Sequence, residues 1–149
     1  VIKVEKSSLD DLYDIYEIEK SVFNNYWSEL SLRKELENKN FNLNLVCRLN
    51  NKIIGYFFSK QVKNEYHILN FALKKNYQHR GYGKNFFNII LKEYILEGNV
   101  FLEVKRSNLS AINFYKKFNF KEIGFEKKYY SDGEDAIKMR LYKKKNELV

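Results

Sequence analysis

Apolar and polar residues alternate with period two along several stretches of this chain, and recur every three to four residues along the segments between them. In residues 1–5, Val, Ile and Val alternate with Lys, which predicts a short strand. Residues 42–49 and 52–62 predict two more, joined by Asn50-Asn51. Asparagine tolerates positive φ, so a two-residue hairpin fits there. Lys63-Asn64-Glu65 makes the next turn, and residues 66–73 pair back to complete a three-strand antiparallel meander. Val100-Phe101-Leu102-Glu103-Val104 is the next strand. It follows a helix, so it should lie parallel to the strand ending at Leu73. Residues 120–130 and 134–142 flank Ser131-Asp132-Gly133, a hairpin signal.

The helices come between. Ser7 or Ser8 caps the first, with Ser8-x-x-Asp11 approximating a capping box, and Leu12, Ile15, Tyr16 and Val22 keep roughly helical spacing. An aromatic loop, Phe23 to Ser28, precedes a second helix starting at Ser28 or Ser31 with Leu32 and Leu36 on one face. A third should run from the turn at residues 78–84 to about Glu97, where Gly98-Asn99 reads as a C-terminal stop. Ser107-Asn108 opens a fourth, with Ala111, Phe114, Tyr115 and Phe118 at helical spacing and Asn119 in place of the usual terminal Gly. No repeat, linker or low-complexity block divides the chain, so residues 1–149 are expected to form a single domain. The predicted class is mixed α/β (α+β): about seven mostly antiparallel strands in a central sheet flanked by helices.

Composition narrows the function classes. A chain 44% hydrophobic and 17% aromatic is globular. Its apolar runs fall far short of a membrane span and no signal-peptide pattern opens it, so a cytoplasmic setting is expected. Cys47, the single cysteine, excludes an internal disulfide and sits in an apolar run, which favours a buried, inert thiol over a nucleophile. His67 and His79 with one cysteine give no metal-ligand spacing, so no metal is expected. The net charge of +8 suggests nucleic acid, but lysine and asparagine are spread along the whole chain. The one local cluster, Lys143-Lys144-Lys145, reads as a solvated tail.

Chemistry concentrates in two places. The first is Gln78-His79-Arg80-Gly81-Tyr82-Gly83-Lys84, a basic Gly-containing turn between a strand and a helix. The leading N–H groups of a helix lack intrahelical partners and the dipole there favours anions, so the turn suits a phosphate. A dinucleotide fingerprint fails because Phe86 stands where the third Gly belongs, and a Walker loop fails because Asn85 follows Lys84. A turn that simply caps its helix fits these seven residues equally well. The second is Glu103, which interrupts the apolar run of a strand, with Tyr115 on the following helix. A carboxylate can take a proton from an ammonium and a phenol can return one to a thiolate. An exposed edge position for Glu103 and core packing for Tyr115 are the competing accounts. The catalytic reading fails if the carboxylate and the hydroxyl lie on opposite sides of the molecule or if the glycine turn is covered.

The Gln-x-x-Gly-x-Gly turn resembles the pyrophosphate loop of the Gcn5-related N-acetyltransferases, which bind acetyl-CoA. Leu102-Glu103-Val104-Lys105-Arg106-Ser107-Asn108, then Ala111-Ile112-x-Phe114-Tyr115 and Phe118-Asn119-Phe120, is similar to the ribosomal-protein-alanine (RimI-like) branch of that superfamily. So are Tyr129-Tyr130, Glu134-Asp135-Ala136 with Met139, and Tyr26-Trp27-Ser28-Glu29. Lys74-Lys75, Asn119 and Tyr26 depart from the family's usual Asp-Pro, Gly and Pro.

The resemblance implies the acyl-CoA N-acyltransferase fold, with Glu103 as general base and Tyr115 as general acid. It implies that Phe71, Ala72 and Leu73 offer backbone groups to the acetyl and pantetheine portion. His79, Arg80, Gly81, Tyr82, Gly83 and Lys84 would hold the pyrophosphate, and Asn108 would contact the cofactor further along. Trp27, Tyr129 and Tyr130 are assigned to a peptide groove, with packing at the rim of a core as the alternative. Glu134 and Asp135 are assigned to reading positive charge, with a solvated hairpin as the alternative. A backbone N–H near Leu73 would hold the oxyanion where the two parallel strands splay apart.

The function so implied is transfer of acetyl from acetyl-CoA to the α-amino group of a protein N-terminus, the N-terminal alanine of a small-subunit ribosomal protein. The runner-up keeps the fold and takes a small-molecule amine or a lysine. A non-catalytic ribosome- or RNA-binding module, resting on the charge and on 12 Tyr and 12 Phe, ranks last because no RNP-like pattern is present.

Overall fold

The computed structural model describes residues 1–145. Its elements run β1 (Ile2–Lys6), a 3-10 turn (Leu9–Asp11) leading into α1 (Leu12–Val22), α2 (Glu29–Glu37), β2 (Asn42–Leu49), β3 (Lys52–Val62), β4 (Glu65–Leu73), α3 (Tyr82–Ile89), β5 (Gly98–Lys105), α4 (Leu109–Lys117), β6 (Lys121–Glu126) and β7 (Ala136–Lys143). The seven strands form one sheet in the order β1-β2-β3-β4-β5-β7-β6. Every neighbouring pair is antiparallel except β4 with β5. The architecture is the mixed, mostly antiparallel α/β sheet that the period-two segments predict.

The local chemistry explains most of the joints. Asn50 and Asn51 take φ of 51° and 67°, the left-handed pair a two-residue hairpin requires. The Ser8 N–H donates to the Asp11 carboxylate at 2.8 Å, and the Ser28 hydroxyl accepts from the Ser31 N–H at 3.1 Å. Asn119 closes α4 at φ 71°.

Four expectations are corrected. The third helix does not run to Glu97: it loosens into a π turn over Ile90–Tyr94 and stops. Gly98 is not its cap but opens β5. There a Cβ would stand 1.9 Å from the Asn64 carbonyl oxygen, so glycine is required by a chain crossing 34 residues distant. Lys143 does not belong to a solvated tail; it is 3% exposed and its Nζ donates to the Leu96 carbonyl at 3.0 Å. Strands 120–130 and 134–142 also come out shorter, because residues 127–135 form a loop whose tip closes by the Gly133 N–H donating to Tyr130 O at 2.9 Å.

Each face of the sheet carries a core. On one side α3 and α4 pack over an aromatic cluster in which Phe71 lies 5.4 Å from both Phe86 and Phe87 and 5.7 Å from Phe114. On the other, α1 and α2 cover β2, β3 and the end of β4 through Leu12, Ile15, Ile18, Leu32 and Leu36. Cys47 is buried within the first core, and burial pushes its thiol up to about 12, so it is inert as expected. Among the described residues, no helix is long and apolar enough to cross a membrane.

Candidate active site at the opening of the sheet

The sheet is not continuous. β4 and β5 pair over only three positions, Glu65 to His67 against Asn99 to Phe101. Beyond these, β4 continues to Leu73 and β5 to Lys105 unpaired with each other. The Lys74 N–H donates to Ile54 O in β3 at 2.8 Å. Alternation along a strand then turns the Leu73 and Phe71 backbone groups the other way, into the opening. The Leu73 carbonyl is already taken there, by the Gln78 side-chain amide at 2.9 Å, which ties the glycine turn to the end of β4.

At the opening lies a cleft of about 490 Å³, walled largely by α3, α4 and the glycine turn and reaching Val22 and Phe23 at the end of α1. Phe71, Ala72, Leu73 and Tyr115 line its inner end. His79, Gly81, Gly83, Lys84 and Asn108 line its outer part. The glycine turn is open: Gly81 caps α3 at φ 88°, and a Cβ there would meet nothing within 4 Å. The first helical hydrogen bond runs from the Asn85 N–H to Gly81 O at 3.1 Å, so the N–H groups of Tyr82, Gly83 and Lys84 precede any intrahelical acceptor. Arg80 and Tyr82 do not line this cleft. The Arg80 guanidinium donates to Asn76 O at 3.0 Å and stacks between Tyr77 and Tyr82, its charge lying beside the turn. Asn108 has a structural task as well, since its side chain caps α4 by accepting from the Ala111 N–H at 3.1 Å. Lys117, which the sequence reading did not single out, adds a cation at the cleft edge.

Tyr115 is 8% exposed, its ring wedged among Phe87, Phe114 and Phe120. Burial raises the pKa of its hydroxyl, which keeps it a proton donor. No partner among the described residues accepts from that hydroxyl.

Glu103 faces the opposite side of the sheet, because its neighbours Leu102 and Val104 pack into the same core as Tyr115. The carboxylate and the phenol therefore lie on opposite faces of the sheet, which would separate them were the sheet closed. They can serve one site because Glu103 sits on the stretch of β5 unpaired with β4 and Tyr115 lines the cleft at that opening. Glu103 is held at the rim by His67, whose Nε2 lies 2.8 Å from Oε1, while the Tyr129 hydroxyl stands at 3.5 Å. The His67 hydrogen bond is the main cause of the lowered Glu103 pKa, partly opposed by burial, and the same bond raises His67. His67 was not foreseen. Its partnership depends on the parallel register of β4 with β5, which no local pattern in the sequence carries.

Of the remaining assigned residues, Tyr129 alone touches Glu103 among the described residues. Trp27 is half-buried and packs edge-on against Phe58 with ring centroids 6.4 Å apart. Tyr129 and Tyr130 stack edge to face at 5.0 Å, with Lys105 over the Tyr130 ring. The Glu134 carboxylate accepts from the Ser107 N–H at 3.2 Å. Asp135 accepts from the Lys128 N–H at 3.1 Å and pairs with Arg106 at 3.4 Å. Both acids are engaged in shaping the 127–135 loop.

A split parallel pair, a helix N-terminus with its leading amides open on one side and a carboxylate on the other make up the candidate site. The chain belongs to the acetyltransferase (GNAT) family, whose model matches residues 11–120, and is an acetyl-CoA-dependent N-acetyltransferase. It is 34% identical over 140 residues to a putative [ribosomal protein bS18]-alanine N-acetyltransferase of Bacillus subtilis, covering 91% of this chain and 92% of that one. It is 32% identical over 142 residues to the [ribosomal protein bS18]-alanine N-acetyltransferase of Escherichia coli, covering 91% and 95%. The crystal structure of the Escherichia coli ribosomal-protein-S18-alanine N-acetyltransferase superposes with a TM-score of 0.86 at 27% identity, covering 100% of this chain and 99% of that chain.

Proposed function

We propose that this chain acetylates the α-amino group of a protein N-terminus, the N-terminal alanine of a ribosomal protein, in the cytoplasm. The observation that carries the reading is the opening between β4 and β5, with the cleft on one side and the Glu103–His67 pair on the other. The names of its relatives in Bacillus subtilis and Escherichia coli support the substrate.

The residues fit acetyl-CoA, which supplies the acetyl group as a thioester. The amides of Gly83 and Lys84 and the cations of Lys84 and Lys117 would hold its diphosphate end. The inward-facing Leu73 N–H would hold the carbonyl oxygen, a donor already oriented before the reaction. The incoming amine meets the Glu103–His67 pair on the other face, guided by Trp27, Tyr129 and Tyr130. Its nitrogen bonds to the acetyl carbon as the carbon–sulfur bond breaks. Of the two protons the ammonium sheds on becoming an amide, Glu103 would take one and solvent the other, while the Tyr115 hydroxyl would give its proton to the departing sulfur and recover one from solvent. A thiol of pKa near 8.5 is a fair leaving group.

The test is coenzyme A release in the presence of acetyl-CoA and an Ala-starting peptide, beside the same peptide with a blocked N-terminus and a free lysine. Release with the first and not the second is expected. Equal release with both would move the substrate to a lysine, and release with neither would overturn the proposal.

A further inference from the structure

Glu19 lies on α1 and is 1% exposed. Among the described residues no cation pairs with it. Its partners are three neutral donors from three separate elements. Oε1 accepts from the Tyr56 hydroxyl of β3 and from the Asn70 side-chain amide of β4, the latter at 2.9 Å. Oε2 accepts from the backbone N–H of Trp27 at 2.9 Å. A buried carboxylate is costly unless its lone pairs are filled, and here they are filled only because these elements stay together.

The strand geometry shows how Asn70 comes to be there. The register of β3 with β4 passes from Phe58 against Asn70 to Ser59 against Ile68, so Leu69 is an extra residue, a bulge. Leu69 and Asn70 thereby share the α1/α2 face, Leu69 in the core and Asn70 toward Glu19. The carboxylate accepts and cannot donate, which fixes the Asn70 amide with its nitrogen inward. The Asn70 Oδ1 is left buried without a partner. A bulge and an unpaired buried oxygen accompany this contact. One residue further, at Phe71, begins the stretch of β4 that lines the cleft.

We propose that Glu19 is a positioning residue: its carboxylate holds the 23–28 loop at Trp27 and locks that loop to the bulge of β4, so the substrate N-terminus meets a preformed rim. The proposal rests on the opening being the substrate entrance, as the proposed function has it. A carboxylate is required because three donors converge on two oxygens. Glutamine offers one oxygen, which settles toward Tyr56 and Asn70 and turns its own N–H₂ against the Trp27 N–H. Glu19→Gln therefore conserves shape and releases the loop selectively.

Trp27 is the protein's single tryptophan, so its fluorescence reads the loop directly. In Glu19→Gln, acrylamide quenching of Trp27 should rise about twofold or more, and the KM for an Ala-starting peptide about tenfold, a cost of roughly 1.4 kcal/mol in binding. The KM for acetyl-CoA should stay within about twofold. Tyr56→Phe keeps the Oε2 acceptor and should leave Trp27 quenching at the wild-type value. Unchanged quenching and KM in Glu19→Gln, or equal rises in both variants, would overturn the proposal. Should Glu19→Gln fail to fold, amide hydrogen exchange on the wild-type protein decides. The Trp27 amide should exchange at least about tenfold more slowly than those of Asn25 and Tyr26, and equal rates sink the idea. Quenching and exchange need no turnover, so a wild-type protein inactive on every N-terminal peptide would remove the substrate reading and leave this test standing.

Discussion

Replacing Glu103 by glutamine separates two roles that a carboxylate beside an amine could play. An α-amino group has a pKa near 8, so at pH 7 about one molecule in ten is already neutral. If Glu103 only shifted that ionisation, its removal would cost no more than about tenfold at pH 7, and nothing by pH 9. A base that takes the proton during bond formation contributes about 10² to 10⁴-fold. The 2.8 Å contact with His67 fixes the carboxylate on the unpaired stretch of β5, which favours the second role. We therefore expect kcat/KM for an Ala-starting peptide to fall about 100-fold at pH 7, with about tenfold of loss persisting at pH 9. The fold should survive. The Glu103 side chain is 18% exposed and that of His67 44%, so solvent screens the lost pair to below about 1 kcal/mol, a change in Tm of a few degrees. Rates would be followed by thiol release across pH 6 to 9, with circular dichroism on the same samples. A folded Glu103→Gln protein within about twofold of wild type at every pH would show that the carboxylate is a structural partner of His67 and no base.

Tyr115→Phe keeps the packing against Phe87 and Phe120 and removes only the proton donor, so kcat should fall about 10- to 100-fold with little change in Tm, read by thiol release and thermal melting. Gly98→Ala adds strain at φ 123° to a 1.9 Å approach to Asn64 O and should cost about 3 kcal/mol, whereas Gly81→Ala adds strain alone and should cost about 1 to 2, both by urea unfolding. The His67–Glu103 pair gives a signed pH dependence. His67 is raised, so its contribution is whole below 6.5 and fades as pH rises through the raised value. Glu103 is lowered, so its contribution is whole above 4.5 and fades as pH falls through the lowered value. The pair thus stabilises fully between those limits, and His67→Ala should flatten the stability profile above pH 6.5.

Much of the fold is written in the period of the hydrophobic pattern and in single turn residues. Asn50-Asn51 and Asn119 act within a few residues of themselves, and the strands β2 and β3 match their expected bounds to the residue. The glycine turn was legible for the same reason, as a local motif between two local patterns. What escaped depends on distance along the chain. Gly98 looks like a helix stop until Asn64 is placed against it. Lys143 looks solvated in a run of lysines until the Leu96 carbonyl receives it. His67 looks like any polar strand residue until the three-residue parallel register sets it beside Glu103. The bulge at Leu69, which turns Asn70 toward Glu19, leaves no mark on the alternation that an unaligned reading would register.

The Glu103–His67 pair also bears on which amine the site can use. Its carboxylate is lowered by the histidine, and a lowered carboxylate is a weaker base. Such a base is adequate for an α-amine of pKa near 8. A lysine near 10.4 demands about 3 kcal/mol more to deprotonate at neutral pH, a factor of roughly 250. On that arithmetic, selectivity for an N-terminus over a lysine is expected from proton energetics before any contact with Trp27 or Tyr129 is counted. The two origins separate with pH. At pH 10 nearly all α-amine and about a quarter of lysine is neutral, so the energetic factor shrinks to about fourfold. Competition between an Ala-starting peptide and a blocked lysine peptide, scored by mass spectrometry at pH 7 and pH 10, measures the change. A preference that collapses about 60-fold across that range assigns selectivity to the ionisation of the amine. A preference that holds constant refutes the energetic account and assigns it to the shape of the rim.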